Sequence, residues 1–330
     1  MKKIIYLIIL SSLLINYVVP KNSRRVPGGH TIQRGQFPYF VQIIVGSEDS
    51  EGLFKFSDCG GSLIHPQWVL TAAYCFKKFH MVPPEMFQEG WIRAYAGTNK
   101  IAVGGHYDLN DPVPNYQTIT KVHIHSGYSY RLINYHNEYV TNDVAVALLA
   151  RRFLLNDFVK IIKLADHRAQ LCSEGTIIGG GTIDPFSETD STLKYAHVHC
   201  RTVDTVSLRP LSIRPDVFYS ETKWGKGHSV QGDIGGPFLC YDDSVPVQYG
   251  IISIYYNNTE AQTAITQYEP VAKYIAFIKQ FVPDVSYQRD FRSKKKHRQS
   301  AQATSRAVWR ELSSVVLCIK VIVDVMLVTV

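Results

Sequence analysis

The sequence predicts an all-β fold in which many short strands form a sandwich or a barrel. Short runs rich in β-branched and aromatic residues recur along residues 26–283, and Gly, Pro, Asn and Asp separate them. Only one segment, near the end of this region, has apolar residues at helical spacing. Many short strands punctuated by turns are typical of sandwiches and barrels.

The predicted strands are apolar runs that end at turn-forming residues. The clearest of them are residues 39–45, 68–71, 118–124, 144–149 and 249–256. One helix is predicted near residue 270, where Pro270 suits the first helical turn. Its helical spacing is carried by Val271, Tyr274, Ile275, Ile278, Phe281 and Val282. Gly179–Gly181 lacks the strand-to-helix context of a phosphate loop and is interpreted as a turn.

Composition and charge exclude several classes of protein. Of the 330 residues, 45% are hydrophobic and 19% are charged, which excludes a globally disordered or collagen-like chain. The net charge of +7 lies at the two ends, because residues 26–283 hold 21 bases and 24 acids. The central region therefore has no general electrostatic signal for a nucleic-acid partner.

The first 20 residues are predicted to be a secretory signal peptide. Lys2 and Lys3 precede the apolar run Ile4–Val19, which is interrupted only by three polar residues. This run is short for a membrane span of about 20 residues. The sequence therefore favours a secreted, extracellular protein over the alternative of an uncleaved membrane anchor.

Residues 284–330 are interpreted as a basic, disordered tail with a weakly hydrophobic end. The run Arg289–Arg298 is rich in Lys and Arg, and the apolar run Val315–Val330 contains Lys320 and Asp324. Each charge near the middle of a membrane helix costs a few kcal/mol on insertion scales. Membrane anchoring by this end is therefore disfavoured, and a lipid-anchor signal is disfavoured for the same reason.

Five motifs follow one another in a fixed order along residues 26–283. They are Arg25–Gly29, Cys59–Ile64, Trp68–Cys75, Asn142–Ala145 and Gln231–Pro237. Together they resemble the activation, histidine, aspartate and nucleophile segments of the chymotrypsin/trypsin-like (peptidase S1) serine proteases. The resemblance implies two six-stranded antiparallel β-barrels, an active cleft between them and a C-terminal helix. It also implies a short propeptide, residues 21–25, before the protease-like domain of residues 26–283.

The resemblance places the catalytic triad at Tyr74, Asp143 and Ile234, and two of these three residues depart from the family. Triad chemistry needs a base for the nucleophile's proton and a carboxylate that orients the base. A phenol with a pKa near 10 is protonated at neutral pH and cannot replace imidazole. A hydrocarbon side chain cannot attack a carbonyl. Asp143 is interpreted as a buried acid that pairs with another group, for example the Tyr74 hydroxyl, rather than as an orienting carboxylate.

The backbone N–H groups of Gly232 and Ile234 are expected to be the remnant of an oxyanion hole. The stiff, β-branched side chain of Ile234 would occupy the space of a substrate. His228 and Ser229 lie nearby in sequence, but five residues of extended chain span about 16 Å. A replacement nucleophile at these two residues is therefore not expected.

The specificity pocket of the family is altered at three positions. The resemblance places His228 at the pocket floor and Ser253 and Tyr255 on the pocket wall, where the family has Ser and Gly. Val230 occupies the position of a cysteine that braces this pocket. These changes imply a cleft that does not admit an arginine or lysine side chain.

The resemblance also implies two disulfides, Cys59–Cys75 and Cys172–Cys240. Cys200 is an alternative partner for Cys240, and Cys318 in the tail is not placed. The sequence His197-Val-His199-Cys200 has alternate ligands on a strand, but there is no second cluster to complete a zinc site. No metal and no cofactor are therefore expected.

Two modifications are expected on the basis of short motifs. Cleavage after Arg25 would free Val26, whose ammonium group in the family is buried against the aspartate at position 233. Pro27 departs from the family here, because it lacks a backbone N–H. The sequon Asn257-Asn258-Thr259 predicts a glycan on Asn257 beside the cleft.

The resulting hypothesis is a secreted, catalytically inactive serine protease homologue that acts by binding. The resemblance points to the non-catalytic homologues found in insect body fluids and reproductive secretions, which act as cofactors, decoys or regulators of active proteases. The expected partners are secreted proteins, including proteases or their inhibitors. Two alternatives remain open: an active endopeptidase with an unorthodox site, and binding of an anionic surface by the basic tail.

Overall fold

The structure is a computed structural model. It describes residues 26–48, 54–77, 92–96, 115–134, 137–180, 193–206, 214–258 and 261–288. The predicted signal peptide, Arg25 and the residues after 288 lie outside these ranges. In the described segments the chain is built from strands, with two short helices and one 3₁₀ turn.

Six antiparallel strands form the first barrel. They are β2 (Phe40–Glu48), β3 (Phe54–His65), β4 (Trp68–Thr71), β5 (Ile92–Ala96), β6 (Tyr116–Ile124) and β9 (Ala145–Leu149). The barrel closes in the order β2-β3-β4-β9-β6-β5. The inward-facing residues are apolar and fully buried, among them Ile43, Leu63, Leu70 and Ile119. Alternation of buried and outward-facing residues along each strand forms this core.

Six further strands form the second barrel. They are β11 (Glu174–Gly179), β12 (Lys194–Arg201), β13 (Phe218–Lys223), β14 (Pro237–Asp242), β15 (Val245–Asn258) and β16 (Thr263–Pro270). The sheet runs β14-β11-β12-β13-β16-β15, and the pairing of β15 with β14 closes it. Its core contains the packed rings of Phe218, Phe238 and Tyr268, whose centroids lie 4.8–5.0 Å apart.

Smaller elements join and flank the barrels. The strand β1 (His30–Thr31) pairs with β12, and a hairpin is formed by β7 (Ser129–Asn134) and β8 (Asn137–Thr141). The strand β10 (Lys163–Ala165) runs parallel to β15 and to β17 (Tyr287–Gln288). Helix α1 (Tyr74–Lys77) follows β4, and helix α2 (Ile275–Phe281) follows a 3₁₀ turn at Val271–Tyr274.

The architecture confirms the predicted fold class. There are two closed six-stranded antiparallel barrels and a short C-terminal helix. The predicted apolar spacing of that helix matches its packing, because Val271, Tyr274 and Ile278 are buried. Among the described segments, no helix has the length and apolar character that crossing a membrane requires.

Candidate functional site

Three loops bring the predicted triad positions to the junction of the two barrels. Tyr74 begins α1 directly after β4, and Asp143 lies between β8 and β9 of the first barrel. Ile234 lies in the loop that precedes β14 of the second barrel. The Gly60 N–H donates to the Ile234 carbonyl at 2.8 Å, so the loop is tied to strand β3 across the junction.

Close backbone packing holds this loop in place. Gly235 has a φ of +87°, and a Cβ atom there would lie 2.2 Å from the Thr71 Oγ1 atom. The Thr71 hydroxyl in turn donates to the Gly60 carbonyl at 2.7 Å. Only glycine tolerates both the left-handed conformation and this approach. The sequence Gly235-Gly236 therefore serves the shape of the loop whether or not a nucleophile precedes it.

Asp143 is fully buried and is held by groups on both of its carboxylate oxygens. The Tyr74 backbone N–H donates to Oδ1 at 2.7 Å, and the Ser253 hydroxyl donates to Oδ2 at 2.6 Å. The carboxylate is therefore fixed beside residue 74. It is in place to contact a base at this position, where the chain has Tyr74.

The protonation of Asp143 depends on this burial. Loss of solvent raises the pKa of Asp143 to about 7, although the hydrogen bonds from Ser253 and Tyr74 oppose the shift. The nearby Glu269 carboxylate raises the pKa further. Between about pH 4 and about pH 7 the folded protein therefore keeps a proton on Asp143 that the unfolded chain releases.

This raised pKa predicts a pH dependence of stability. Within that pH range the folded state binds more protons at Asp143, so its contribution to stability falls as the pH rises. We expect the stability of the wild type relative to Asp143→Asn to decrease by about 1 kcal/mol per pH unit over this range. Urea unfolding of both proteins across the range measures this difference. A difference independent of pH would contradict the raised pKa.

The Tyr74 side chain does not pair with Asp143, so the expectation of a bond between its hydroxyl and Asp143 is wrong. The Tyr74 hydroxyl points instead to Glu138 Oε2, at 3.4 Å, and its ring lies 5.8 Å from the Tyr130 ring. The two oxygens of Asp143 are already engaged by Ser253 and by the Tyr74 backbone. Burial first, and the Glu138 charge second, raise the pKa of Tyr74 far above its usual value. The phenol therefore remains protonated and is no base.

Ile234 fills the position of the nucleophile with hydrocarbon. Its side chain is 5% exposed and belongs to the same buried cluster as Tyr74 and the Cys59–Cys75 pair. The N–H groups of Gly232 and Ile234 donate to no other group in the described part of the chain. The two predicted oxyanion donors thus remain available, and the apolar Ile234 side chain occupies the predicted nucleophile position.

At and beside the predicted pocket, His228, Ser229 and Ser253 are buried, and the two serine hydroxyls are hydrogen-bonded. The Ser229 hydroxyl is fully buried and bonds to the Thr266 hydroxyl at 2.7 Å, so it is not an exposed nucleophile. His228 is 5% exposed, and its Nδ1 atom has no hydrogen-bond partner among the described groups. Burial lowers the pKa of His228, which favours neutral imidazole. Tyr255 follows on the pocket wall and is half-buried.

A buried ion pair that the sequence did not reveal lies behind Asp143. Arg214 and Glu269 form it, with side chains 4% and 0% exposed. The Tyr274 hydroxyl donates to the other Glu269 oxygen at 2.5 Å, and the Asp143 N–H donates to Glu269 at 3.4 Å. Arg214 also donates to the Val140 carbonyl at 2.9 Å. The pair thus connects the second barrel, the C-terminal 3₁₀ turn and the hairpin beside the cleft.

The segment predicted to be the activation junction is docked into the second barrel from Val26 onward. Val26 is fully buried in its core, with a φ of +35° that is rare for a β-branched residue. The Pro27 carbonyl accepts from the Gly227 N–H at 2.7 Å. The missing N–H of Pro27 therefore does not prevent docking of this segment. Arg25 lies outside the described residues, so its cleavage stays a prediction.

Asp233 is fully buried one residue before Ile234. Its Oδ2 atom accepts a hydrogen bond from the Val230 N–H at 2.8 Å. A Cβ atom on Gly179 would lie only 1.9 Å from the Asp233 Oδ1 atom, so a larger residue at position 179 would clash with the carboxylate. Gly179 ends strand β11, so it is not the turn residue that the sequence suggested. It makes room for a buried carboxylate, a role that only the folded geometry reveals.

Both predicted disulfides are present, Cys59–Cys75 and Cys172–Cys240, with Cα atoms 6.2 and 5.9 Å apart. Cys200 is a free thiol on β12, and burial raises its pKa to about 12. In the described segments no group of three or more potential ligands is positioned for a metal ion. Asn257 is exposed on β15, so it is accessible to the predicted glycosylation.

The fold and the junction together define the architecture of a chymotrypsin-like protease. The family model for trypsin matches residues 26–278, and the chain therefore belongs to the trypsin-like (peptidase S1) serine protease family. It is 25% identical to prostatic glandular kallikrein-6 of Rattus norvegicus over 72% of this chain and 83% of that protein. It is 26% identical to chymotrypsin-like elastase family member 1 of Homo sapiens over 79% of this chain and 93% of that protein. It is 26% identical to coagulation factor IX of Cavia porcellus over 69% of this chain and 72% of that protein.

Proposed function

We propose that this member of the peptidase S1 family is catalytically inactive, is secreted, and acts by binding another protein. The observation that carries the proposal is the pair Tyr74 and Ile234, which stand in the base and nucleophile positions beside an intact Asp143. Loss of a single triad member leaves only about 10³–10⁴-fold catalysis over water. Here the base and the nucleophile are both replaced, so the remaining carboxylate has no proton transfer to assist.

Several features support retention of the fold for binding rather than for chemistry. The cleft residues are buried and well packed, because Tyr74 and Ile234 are each 5% exposed. The neighbouring hairpin presents Tyr130, Leu132 and Ile133 with 38%, 57% and 44% exposure. Exposed apolar side chains beside a filled cleft are typical of protein interfaces. The two disulfides and the apolar N-terminal run support secretion.

The first experiment tests inactivity. The purified wild type, and material cleaved after Arg25, are treated with a fluorophosphonate probe and with a library of peptide substrates. We expect no labelling and no hydrolysis above the level of an Asp143→Ala variant. Labelling that disappears in that variant would instead support the alternative, an active endopeptidase with an unorthodox nucleophile.

The second experiment tests binding through the hairpin. The immobilised wild type and a Tyr130→Ser/Leu132→Ser variant are used to capture proteins from the secretions in which the protein occurs. We expect proteases or protease inhibitors in the wild-type sample and at least about tenfold less of them with the variant. A Leu154→Ser variant, altered at an exposed leucine outside the hairpin, is the matched control. Equal capture by all three proteins would contradict the proposal.

A further inference from the structure

The segment that connects the two barrels has several large apolar side chains that are exposed to solvent. Residues 150–162 join β9 to β10, and Phe153, Val159 and Ile162 of this segment are buried. Its other large apolar side chains are exposed. They are Leu154 at 83%, Leu155 at 47%, Phe158 at 40% and Ile161 at 39%.

We call residues 150–162 the connector, and its backbone is fixed by hydrogen bonds. Its N–H groups at Phe153, Lys160 and Ile162 donate to carbonyls of the first barrel and the segment before it, at 2.8–2.9 Å. The Asn156 side chain accepts from the Phe158 N–H at 2.8 Å and closes a tight turn. The exposed apolar side chains are thus held outward by an ordered scaffold.

Exposed basic residues flank these apolar side chains in the chain, and Arg34 contacts one of them from another segment. The exposed bases are Arg34, Arg151, Arg152, Lys160 and Lys163. The Arg34 guanidinium lies 4.5 Å above the Phe158 ring, so apolar and basic groups are in direct contact. We call these five bases, together with Leu154, Leu155, Phe158 and Ile161, the connector face.

Acids are fewer than bases in this part of the chain. Residues 150–163 contain four bases and one acid, Asp157, which pairs with Lys160 at 3.4 Å. The segment therefore carries net positive charge alongside its exposed apolar side chains.

We propose that the connector face docks on a phospholipid surface that carries acidic headgroups. Peripheral proteins bind such surfaces by inserting apolar side chains to the depth of the acyl boundary while Lys and Arg contact the headgroups. A sulfated polysaccharide would engage the bases but would leave Leu154, the most exposed large apolar residue of the face, in water. The combination of both kinds of side chain therefore favours lipid.

The sequence after β17 carries charge of the same sign as the connector face. This strand pairs in parallel with β10, with Leu164 opposite Tyr287 and Ala165 opposite Gln288. From Gln288 the sequence continues into Arg289–Arg298, which holds six Lys or Arg residues and one acid.

Vesicle binding by the full chain tests the proposal. The wild type, Leu154→Ser/Leu155→Ser, Lys160→Glu/Lys163→Glu and a control are sedimented with phosphatidylcholine vesicles, with or without about one third phosphatidylserine. The control is Trp224→Ser, altered at a residue that is 43% exposed and lies outside both the hairpin and the connector face. We expect binding that requires phosphatidylserine and falls with salt. Both connector variants should lower it by at least about tenfold, and Trp224→Ser should not. Unchanged melting temperatures confirm that the variants fold.

A local reporter separates the connector from the apolar and basic ends of the chain. The emission of a Leu154→Trp variant should shift to the blue on phosphatidylserine vesicles and should be quenched by brominated lipids. Absence of both effects, or vesicle binding equal in all variants, would overturn the proposal. Loss of heparin binding in Lys160→Glu/Lys163→Glu, with vesicle binding unaffected by the serine substitutions, would overturn it in favour of a sulfated polysaccharide. None of these outcomes depends on the cleft.

Discussion

Replacement of Glu269 by glutamine is expected to lower the free energy of unfolding by about 3–5 kcal/mol. The Glu269 carboxylate is fully buried and balances the Arg214 guanidinium, which is 4% exposed. Removal of Glu269 would leave the buried Arg214 charge with only the half-exposed Asp216 as its partner, in a medium of low dielectric constant. The same substitution weakens the hydrogen bonds from the Tyr274 hydroxyl and from the Asp143 N–H.

Urea unfolding of the variant and of two matched proteins measures this effect. Asp216, whose side chain is 45% exposed, also pairs with Arg214, at 2.5 Å. Because its charge is screened by water, Asp216→Asn is expected to cost about 1 kcal/mol or less. A double replacement, Arg214→Met with Glu269→Leu, removes both buried charges and should recover much of the loss. A Glu269→Gln variant as stable as the wild type would contradict this expectation and would mean that Asp216 alone compensates the Arg214 charge.

The barrels could be predicted because their signals are local. Strands β4 and β9 are visible as short apolar runs bounded by turn residues, and their bounds differ from the predicted ones by at most one residue. The positions of Tyr74, Asp143 and Ile234 were found by motif spacing. Closure of each sheet into a ring is a long-range property, and it was inferred from the family resemblance rather than from the strands themselves.

The partners of the site residues could not be predicted, because they come from distant parts of the chain. Tyr74 and Glu138 are 64 positions apart, and Arg214 and Glu269 are 55 apart. No periodicity relates such residues. The orientation of the Tyr74 ring follows from the hairpin β7–β8, which supplies both Tyr130 and Glu138. Without that hairpin, pairing of Tyr74 with Asp143 was the simplest hypothesis.

The buried charges behind the site are also a tertiary property. In sequence, Glu269 and Arg214 look like ordinary surface residues, because charged side chains are almost never fully buried without a partner. Residues 263–270 contain two Thr and one Gln besides Glu269, so this segment does not read as a fully buried strand. Neither the burial of Glu269 nor the cation that balances it can therefore be predicted from the sequence.

Introduction of an imidazole at position 74 and a hydroxyl at position 234 is expected to give this protein hydrolytic activity. In a Tyr74→His/Ile234→Ser variant, the new imidazole would lie beside Asp143, which the Ser253 hydroxyl already holds at 2.6 Å. The N–H groups of Gly232 and residue 234 remain available to an oxyanion. We expect hydrolysis of a small activated ester to rise by about 10³-fold or more over the wild type, together with labelling by a fluorophosphonate.

Three comparisons make this test of the cleft specific. Addition of Asp143→Ala to the double variant should reduce the gain by about 10³-fold or more, because the new imidazole then lacks its orienting carboxylate. Peptides with arginine or lysine should remain poor substrates, since Tyr255 and buried His228 still occupy the pocket positions. Tyr74→His alone should stay inactive, because Ile234 provides no nucleophile. A folded double variant without labelling would show that residues 74 and 234 do not face each other, and inactivity would then need a cause other than the two substitutions.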